Sequence, residues 1–372
     1  MRHLDYALLL IIAWGLLATG AVEPWAYWPL ALAAAFVGGA ALLASRGANK
    51  PGWALLAGFG LLAGAVLVQL VPIRRPLILR HSPSTDAFLQ RAGSGYKGML
   101  WGDPPPTHSL SVNPDATLVG LLLLCAFAAL LVGAARGLTS RQIRTLAAGL
   151  PLLGGVAAVL VIAQNVGSPG QGYLDRDRLT GWLLMAFPLG LYHAYAARRG
   201  GAARPAPSAL PTALVTFPAS LMAAALAWMA WNGLTSMTGG ETTAVWGSWN
   251  DTWTLIRDFR PAGTGLNTFG TAMMVFQPML LPTTGYNSYL QFAAEGGLLL
   301  VVPATIVLGL FIWQVLRRFA DRSDDDEMRL IRAAAVAGLV LVLLYELVGL
   351  SLQAPGNAAL FAVLGGVAIA RP

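Results

Sequence analysis

ATLVGLLLLCAFAALLVGAA, residues 116–135, is a continuous run without a single charged side chain. A helix needs about 20 mostly apolar residues to cross the hydrocarbon core of a bilayer, so this stretch alone predicts a membrane-spanning helix. The rest of the chain continues the pattern, since 56% of its 372 residues are hydrophobic and only 11% are charged. Soluble domains carry roughly 25% charged residues. A water-soluble enzyme, a nucleic-acid-binding module and a secreted disulfide-bonded domain are therefore excluded.

The same criterion, applied along the whole chain, predicts ten membrane spans. They are residues 5–21, 25–44, 52–72, 116–135, 146–166, 180–197, 211–231, 289–316, 333–350 and 355–370. No soluble domain separates them, and the single cysteine, Cys125, lies inside a span and has no partner for an internal disulfide. The predicted fold is all-α, with one polytopic helical membrane domain over residues 1–372.

The distribution of basic residues predicts the orientation, because lysine and arginine collect on the cytoplasmic side of membrane proteins. With the N-terminus inside, fifteen of the 24 lysines and arginines fall on the inner side, which favours an N-in, C-in topology. Two long loops, residues 73–115 and 232–288, then lie outside. For a bacterial chain this is the periplasmic side of the inner membrane, where we expect the functional site, in the loop 232–288.

Polar side chains recur near the predicted outer ends of the spans. They are Gln69, Gln164, Asn165, Glu295, Glu346 and Gln353. Polar groups inside a span are costly, so they mark a water-filled cavity or hydrogen bonds between helices. Six together favour a polar cavity that opens to the outside, with interhelical hydrogen bonding as the alternative for each residue.

Four arginines in the predicted outer loops run against the orientation rule: Arg176, Arg178, Arg257 and Arg260. A guanidinium binds phosphate through paired hydrogen bonds and keeps its charge. A group of them at the membrane surface predicts a site for a lipid-linked diphosphate. Local salt bridges are the alternative, because acidic residues alternate with them: Asp175, Asp177 and Asp258. No motif or ligand spacing predicts a metal site or a cofactor.

Residues 260–301, RPAGTGLNTFGTAMMVFQPMLLPTTGYNSYLQFAAEGGLLLV, contain two short motifs. The first consists of Gly263, Gly265 and Phe269. The second opens a predicted helix and consists of Asn287, Tyr289, Leu290, Gln291, Glu295 and Gly297. This pair of motifs resembles the O-antigen ligase and O-antigen polymerase-like family, and further stretches from about residue 65 to the C-terminus resemble its exopolysaccharide-type branch in the same order.

The resemblance implies a GT-C-like, metal-independent, inverting glycosyltransferase that works on the outer face of the membrane. Its donor would be an undecaprenyl-diphosphate-linked glycan and its acceptor a glycan or a lipid, in cell-envelope polysaccharide assembly with other assembly proteins as partners. The four arginines would bind the diphosphate, and Asn287 and Gln291 would contact substrate. Tyr286 occupies the position of a family histidine. Glu295 shares a helix face with Gln291 and is the best-placed carboxylate for a general base.

The sequence also departs from the family pattern. Tyr286 replaces the histidine, and a phenol with a pKa of about 10 is a poor base at neutral pH. The arginine that family members carry before a tryptophan is missing from WGSWNDTW, residues 246–253, and Asp175 to Arg178 replace an N-R-N-H element. The two spans that usually follow the turn at residues 236–243 are absent.

Two other functions stay open. In the second interpretation, the protein is a non-catalytic relative that acts as a scaffold or regulator of a polysaccharide assembly complex. In the third it is a transporter or lipid flippase, which would need discontinuous helices near mid-membrane and polar residues that continue into the inner half.

Overall fold

The computed structural model describes residues 3–45, 52–92, 106–167, 175–201, 209–236, 242–276, 287–321 and 324–371. These residues are almost entirely α-helical, as predicted, and contain one two-stranded antiparallel sheet. The elements, in chain order, are α1 (Leu4–Leu17), α2 (Pro24–Ala44), α3 (Trp53–Leu70), β1 (Ile73–Arg74), α4 (Arg75–His81), α5 (Pro83–Ala92), β2 (Thr107–His108), α6 (Pro114–Gly137), α7 (Ser140–Gly167), α8 (Arg176–Gly201), α9 (Ala209–Ser236), α10 (Thr242–Asp258), α11 (Phe269–Phe276), α12 (Ser288–Ala320), α13 (Asp326–Tyr345) and α14 (Pro355–Ile369).

Six helices in the described part of the chain are long and apolar enough to cross a membrane: α2, α3, α6, α7, α12 and α13. Shorter apolar helices are Leu4–Leu17, Thr216–Trp231 and Pro355–Ile369. The prediction of a multi-pass, all-α membrane protein is therefore confirmed, whereas the count of ten spans stays a prediction.

Two helices end four or five residues before the predicted spans do. The first predicted span reaches residue 21, but α1 ends at Leu17 and a short 3-10 turn, Thr19–Ala21, follows it. Thr19, Gly20 and Ala21 all have positive φ angles. The left-handed conformation cannot continue a right-handed helix, so the helix ends before them. The ninth predicted span reaches residue 350, whereas α13 ends at Tyr345.

The chain folds into two compact units. The first unit comprises residues 1–53, 126–239 and 312–372, and the second comprises residues 54–125 and 240–311. In the first unit, α8 is the central helix, because it packs against α7, α9 and α13. The helix α1 packs against α7 and α14 in the same unit.

In the second unit, the two long loops predicted outside the membrane pack against each other. The helix α5 comes from the first loop, and α10 and α11 come from the second. Their shared core contains Phe88, Leu255, Phe259, Phe269 and Met273. A second contact joins Ile78 and Leu110 to Ala262. Because they share a core, the two loops are expected on the same side of the membrane, and which side that is stays a prediction. We call this group of elements, α4, α5, α10 and α11 with the β1–β2 sheet, the extramembrane layer, after its predicted position.

The longest helix, α12, is interrupted near its start. Gly297 has φ 53° and ψ −158°, which are not helical angles, so two helical segments meet there. The prediction of one continuous span over residues 289–316 therefore needs correction. The interruption lies next to the motif residue Glu295, where the loop 259–269 bonds to the helix backbone.

Candidate functional site

The two motifs of the sequence contact each other in the second unit. The loop 259–269, which carries Gly263, Gly265 and Phe269, lies along the interruption in α12. Thr264 N–H donates to the carbonyl oxygen of Ala294 at 3.0 Å, and Gly265 N–H donates to that of Glu295 at 2.9 Å. In return, Leu299 N–H donates to the carbonyl oxygen of Pro261 at 3.3 Å. The loop thus replaces the helical hydrogen bonds that the interruption removes.

Glycine is required at this contact for two reasons. Gly263 and Gly297 have φ angles of +74° and +53°, in the left-handed region that favours glycine. A Cβ atom on Gly263 would lie 2.2 Å from the carbonyl oxygen of Glu295, and one on Gly297 would lie 2.2 Å from that of Pro261. The glycines of both motifs therefore allow two backbone segments to touch.

The Glu295 carboxylate, a predicted catalytic group, holds the loop in place. It accepts hydrogen bonds from the backbone N–H groups of Asn267 at 2.8 Å and Phe269 at 3.0 Å, and from the Gln291 side chain at 3.3 Å. The residue is 6% exposed. Asn267 and Phe269 stand at the start of α11, where backbone N–H groups lack helical partners. Glu295 therefore caps α11. The sequence leaves two roles open for this carboxylate, a general base or a brace for the long loop, and these bonds fit the brace.

Gln69 of α3 is the third member of this contact. Its side-chain amide donates to the carbonyl oxygens of Ala262 at 2.8 Å and Glu295 at 3.0 Å, and its side-chain oxygen accepts from Leu266 N–H at 3.1 Å. It is 0% exposed. The sequence analysis predicted it as a polar residue of a cavity and not as part of this site. The sequence feature that could have identified Gln69 is a single amide side chain at the end of an otherwise apolar helix.

The remaining residues of the second motif are at the start of α12. The Asn287 side chain accepts hydrogen bonds from the backbone N–H groups of Tyr289 and Leu290, both at 3.0 Å, and so caps the helix. Gln291 donates to Glu295 and is partly buried. Tyr286, the other predicted catalytic residue, lies outside the described residues, and its role stays a prediction.

The polar residues predicted to line a cavity are used for hydrogen bonds to the protein. Gln69 and Glu295 bond to the loop 259–269, and Glu346 accepts from the Ser351 hydroxyl and from Leu352 N–H. Gln353 is exposed, and the side chains of Gln164 and Asn165 lie outside the described part of the structure. Where the structure describes them buried, these side chains fit the hydrogen-bonding alternative.

Arg257 and Arg260, in the second unit, are exposed cations beside the two motifs, and Arg74 and Arg80 are further exposed cations of the extramembrane layer. Arg257 lies in the last turn of α10 and Arg260 lies near the start of the loop 259–269, and both are exposed. Neither forms a hydrogen bond or an ion pair with the residues that the structure describes. They are the predicted diphosphate ligands whose charge is available to a bound anion.

Arg176 and Arg178, in the first unit, are both engaged. Arg176 donates to the carbonyl oxygen of Met229. Arg178 donates to the carbonyl oxygen of Thr19 at 3.2 Å and lies 3.7 Å from the Asp175 carboxylate. The contact of Arg178 with Asp175 fits the local salt-bridge alternative, and binding of a diphosphate by the other arginines stays a prediction. The prediction that arginines from the two pairs approach one another stays a prediction.

No family model, curated protein or solved structure matches this chain. The resemblance to the O-antigen ligase family therefore rests on the two motifs and on the similar stretches around them.

A buried charge cluster within the extramembrane layer was not anticipated from the sequence. Arg75 donates two hydrogen bonds to the buried Asp86 carboxylate, at 2.8 and 3.0 Å, and Gln90 donates a third at 2.6 Å. His108 lies 3.3 Å from the same carboxylate and also contacts the carbonyl oxygen of Ser109 at 2.9 Å. Hydrogen bonding to Arg75 lowers the pKa of Asp86 to about 2, although burial alone would raise it.

Because both ring nitrogens of His108 face protein oxygens, the cluster holds α4, α5 and β2 together. It presents no free base to a substrate in this arrangement.

Proposed function

We propose that this protein is a membrane glycosyltransferase of the O-antigen ligase or polymerase type. It would take an undecaprenyl-diphosphate-linked glycan as donor and a glycan or lipid as acceptor, at the periplasmic face of a bacterial inner membrane. The observation that carries the proposal is that the two motifs on which the resemblance rests are bonded to each other and leave Arg257 and Arg260 exposed beside them.

The proposed reaction does not need a strong general base. An acceptor hydroxyl oxygen bonds to the anomeric carbon while the bond from that carbon to the diphosphate oxygen breaks. The electron pair leaves with the diphosphate, and the hydroxyl proton passes to water or to a basic side chain. Arg257 and Arg260 would stabilise the charge that develops on the diphosphate. In this scheme Tyr286 donates a hydrogen bond and does not accept the proton.

The scaffold function is the second candidate, and one observation favours it. Both oxygens of the Glu295 carboxylate accept hydrogen bonds from the protein, so the best-placed carboxylate is already used for structure. A protein that binds the lipid-linked glycan without transferring it fits this arrangement.

A transporter is less compatible with the site. The interruption in α12 is the type of feature that transporters use to coordinate substrate with free backbone groups. Here the carbonyl oxygens of Ala294 and Glu295 and the N–H of Leu299 are bonded to the loop 259–269. The interruption therefore offers none of these groups to a substrate.

Binding and turnover, measured separately, test the proposal. The purified protein in lipid nanodiscs is titrated with undecaprenyl-diphosphate glycan, and product is then assayed with an acceptor glycan. Hydrogen bonds from a charged donor are worth about 1.5–3 kcal/mol. We therefore expect Arg257→Ala and Arg260→Ala each to weaken binding about tenfold or more.

Arg329→Ala is the matched control, because Arg329 is an exposed arginine on the predicted inner side. Binding with turnover supports the enzyme, and binding without turnover supports the scaffold. Unchanged affinity in both outer arginine variants would show that these arginines do not bind the diphosphate.

A further inference from the structure

The helix α10 has two chemically different faces. Ser248, Thr252 and Leu255 are buried and point into the core of the extramembrane layer. The opposite face is exposed and carries Asn250, Trp253 and the free Arg257. The spacing of three and four residues places these three side chains in one row.

Trp253 is the unusual residue of this row, because 55% of its large indole surface is exposed. The exposed side chains around it are polar: Asn250, Thr254, Arg257 and Asp258. Its apolar neighbours Trp249 and Ile256 are partly buried. A face that enters lipid looks different, as on α3, where Leu61, Leu67 and Val68 are exposed together. An exposed tryptophan among exposed polar side chains is suited to a ligand that has both an apolar face and hydroxyl groups.

We infer that Trp253 and Arg257 form a recognition site for the first sugar and the adjoining diphosphate of a lipid-linked glycan. This inference rests on the proposed function and assigns to it a residue, Trp253, that the motifs do not contain. The indole ring would stack on the apolar face of the sugar, and Asn250 would bond to its hydroxyl groups. Arg257 would bind the phosphate attached to the anomeric carbon.

The geometry and charge of the face fit this ligand. Trp253 and Arg257 are one helical turn apart, which is about 5 Å along the axis. In a glycosyl diphosphate the phosphate is directly attached to the ring, so ring and anion have neighbouring partners on the helix. Arg260, which follows α10 in the loop 259–269, adds a second exposed cation for the second phosphate.

The test compares two ligands that differ only in the sugar. Affinities of the full-length protein in nanodiscs of zwitterionic lipid are measured for undecaprenyl diphosphate and for the undecaprenyl diphosphate that carries the glycan. We expect Trp253→Leu to weaken binding of the glycan form about tenfold, the size of a stacking contact. Binding of the sugar-free form should change little. Arg257→Ala should weaken both.

Trp25→Leu is the control for loss of an exposed tryptophan, since Trp25 lies at the start of α2 and is similarly exposed. Equal weakening of both ligands by Trp253→Leu would overturn the inference and make Trp253 a membrane anchor. An unchanged affinity would also overturn it, even where the wild type binds the glycan and the proposed function stands. A wild type that binds neither ligand would contradict the proposed function itself.

The variant Trp253→Phe distinguishes the loss of a stacking contact from a general effect on folding. A phenyl ring retains a face for the sugar, so this variant should keep more of the glycan preference than Trp253→Leu. If the two variants lose the preference equally, the indole does not stack on the sugar.

Discussion

At the scale of single residues, Glu295 and Gln69 share one task, which is to bond the backbone of the loop 259–269. Buried backbone groups without a partner cost about 1–3 kcal/mol each, and in a bilayer no water can replace the partner. Gln69 bonds two backbone groups of the loop and the carbonyl oxygen of Glu295, and the Glu295 carboxylate bonds two backbone N–H groups of the loop. Their polarity therefore serves the fold first, whatever chemistry the protein performs.

Glu295→Gln separates the bracing role from a catalytic one. The amide replaces one acceptor oxygen with an NH2 group that faces a backbone N–H donor of Asn267 or Phe269. We expect the variant to lose about 1–3 kcal/mol of stability, seen as a lower thermal midpoint of the purified protein in detergent. A general base would instead lose about a hundredfold in turnover with an unchanged midpoint.

Tyr286→Phe completes this comparison. Since Tyr286 is not expected to accept the proton, its loss should reduce turnover much less than a lost base would. An inactive Tyr286→Phe beside an active Glu295→Gln would reverse the assigned roles.

At the scale of elements, the interruption of α12 and the loop 259–269 form one structural unit. The helix loses regular hydrogen bonds at Gly297, and the loop supplies replacements from Thr264, Gly265 and Pro261. Each segment is therefore stable only in the presence of the other. This explains why the two motifs occur together in the sequence, independently of catalysis.

Alanine substitutions at the contact test this dependence. Gly263→Ala and Gly297→Ala each place a Cβ atom 2.2 Å from a backbone oxygen at a positive φ, so the backbone must move. We expect a loss of several kcal/mol, measured as a lower thermal midpoint or as loss of folded protein. Gly309→Ala is the matched control in the same helix, because nothing lies within 4 Å of its added Cβ.

Alanine is also the better helix former by about 1 kcal/mol. Gly309→Ala should therefore leave the midpoint unchanged or raise it. Equal midpoints for all three variants would contradict the close contact between loop and helix.

The cluster around Asp86 predicts a pH dependence of stability. The pKa of Asp86 is lowered to about 2 from an ordinary value of 3.8. A lowered pKa in the folded state means stabilisation that is complete above about pH 5 and is lost as the pH falls from 4 to 2. The difference between the two pKa values corresponds to about 2 kcal/mol of folding free energy.

Thermal midpoints of the wild type and Asp86→Asn, measured at pH 6 and pH 3, test this. The asparagine variant should be less stable than the wild type at pH 6. The difference between their thermal midpoints should be about half as large at pH 3. Asp115→Asn, at an exposed carboxyl in α6, is the control. If the difference in thermal midpoint does not depend on pH, the charge of Asp86 is not the cause of the lower stability.

At the scale of the whole molecule, the decisive feature is that both long loops build one extramembrane layer. The core around Phe88, Phe259 and Phe269 requires them to be on the same side of the membrane. The excess of basic residues in the other loops predicts that this side is the outer one. The proposed site and the face of α10 both depend on that orientation.

Cysteine labelling of intact spheroplasts measures the orientation. In a Cys125→Ala background, Thr254→Cys on the exposed face of α10 should react with an impermeant thiol reagent. Asp326→Cys, at a position where the side chain is 98% exposed, should react only after permeabilisation. The reverse pattern would place the extramembrane layer in the cytoplasm, where a periplasmic glycan donor cannot reach it.

The membrane-spanning, all-α class of this protein was determined by the sequence itself, because long apolar segments such as residues 116–135 need no distant partner to form a helix in a bilayer. The capping role of Asn287 is also a local property of the helix start, although the sequence analysis assigned this residue to a substrate contact.

Only the tertiary structure decided which polar groups are free. Gln69 bonds to Leu266, 197 residues away, and Glu295 bonds to Asn267 and Phe269, which are 28 and 26 residues away. A local pattern identifies a polar side chain within an apolar segment, but it does not identify the partner. The carboxylate of Glu295 and the amide of Gln69 therefore have structural partners that no local pattern shows, because the backbone groups freed at a helix interruption need partners from elsewhere in the chain. A catalytic role for Glu295 stays a prediction.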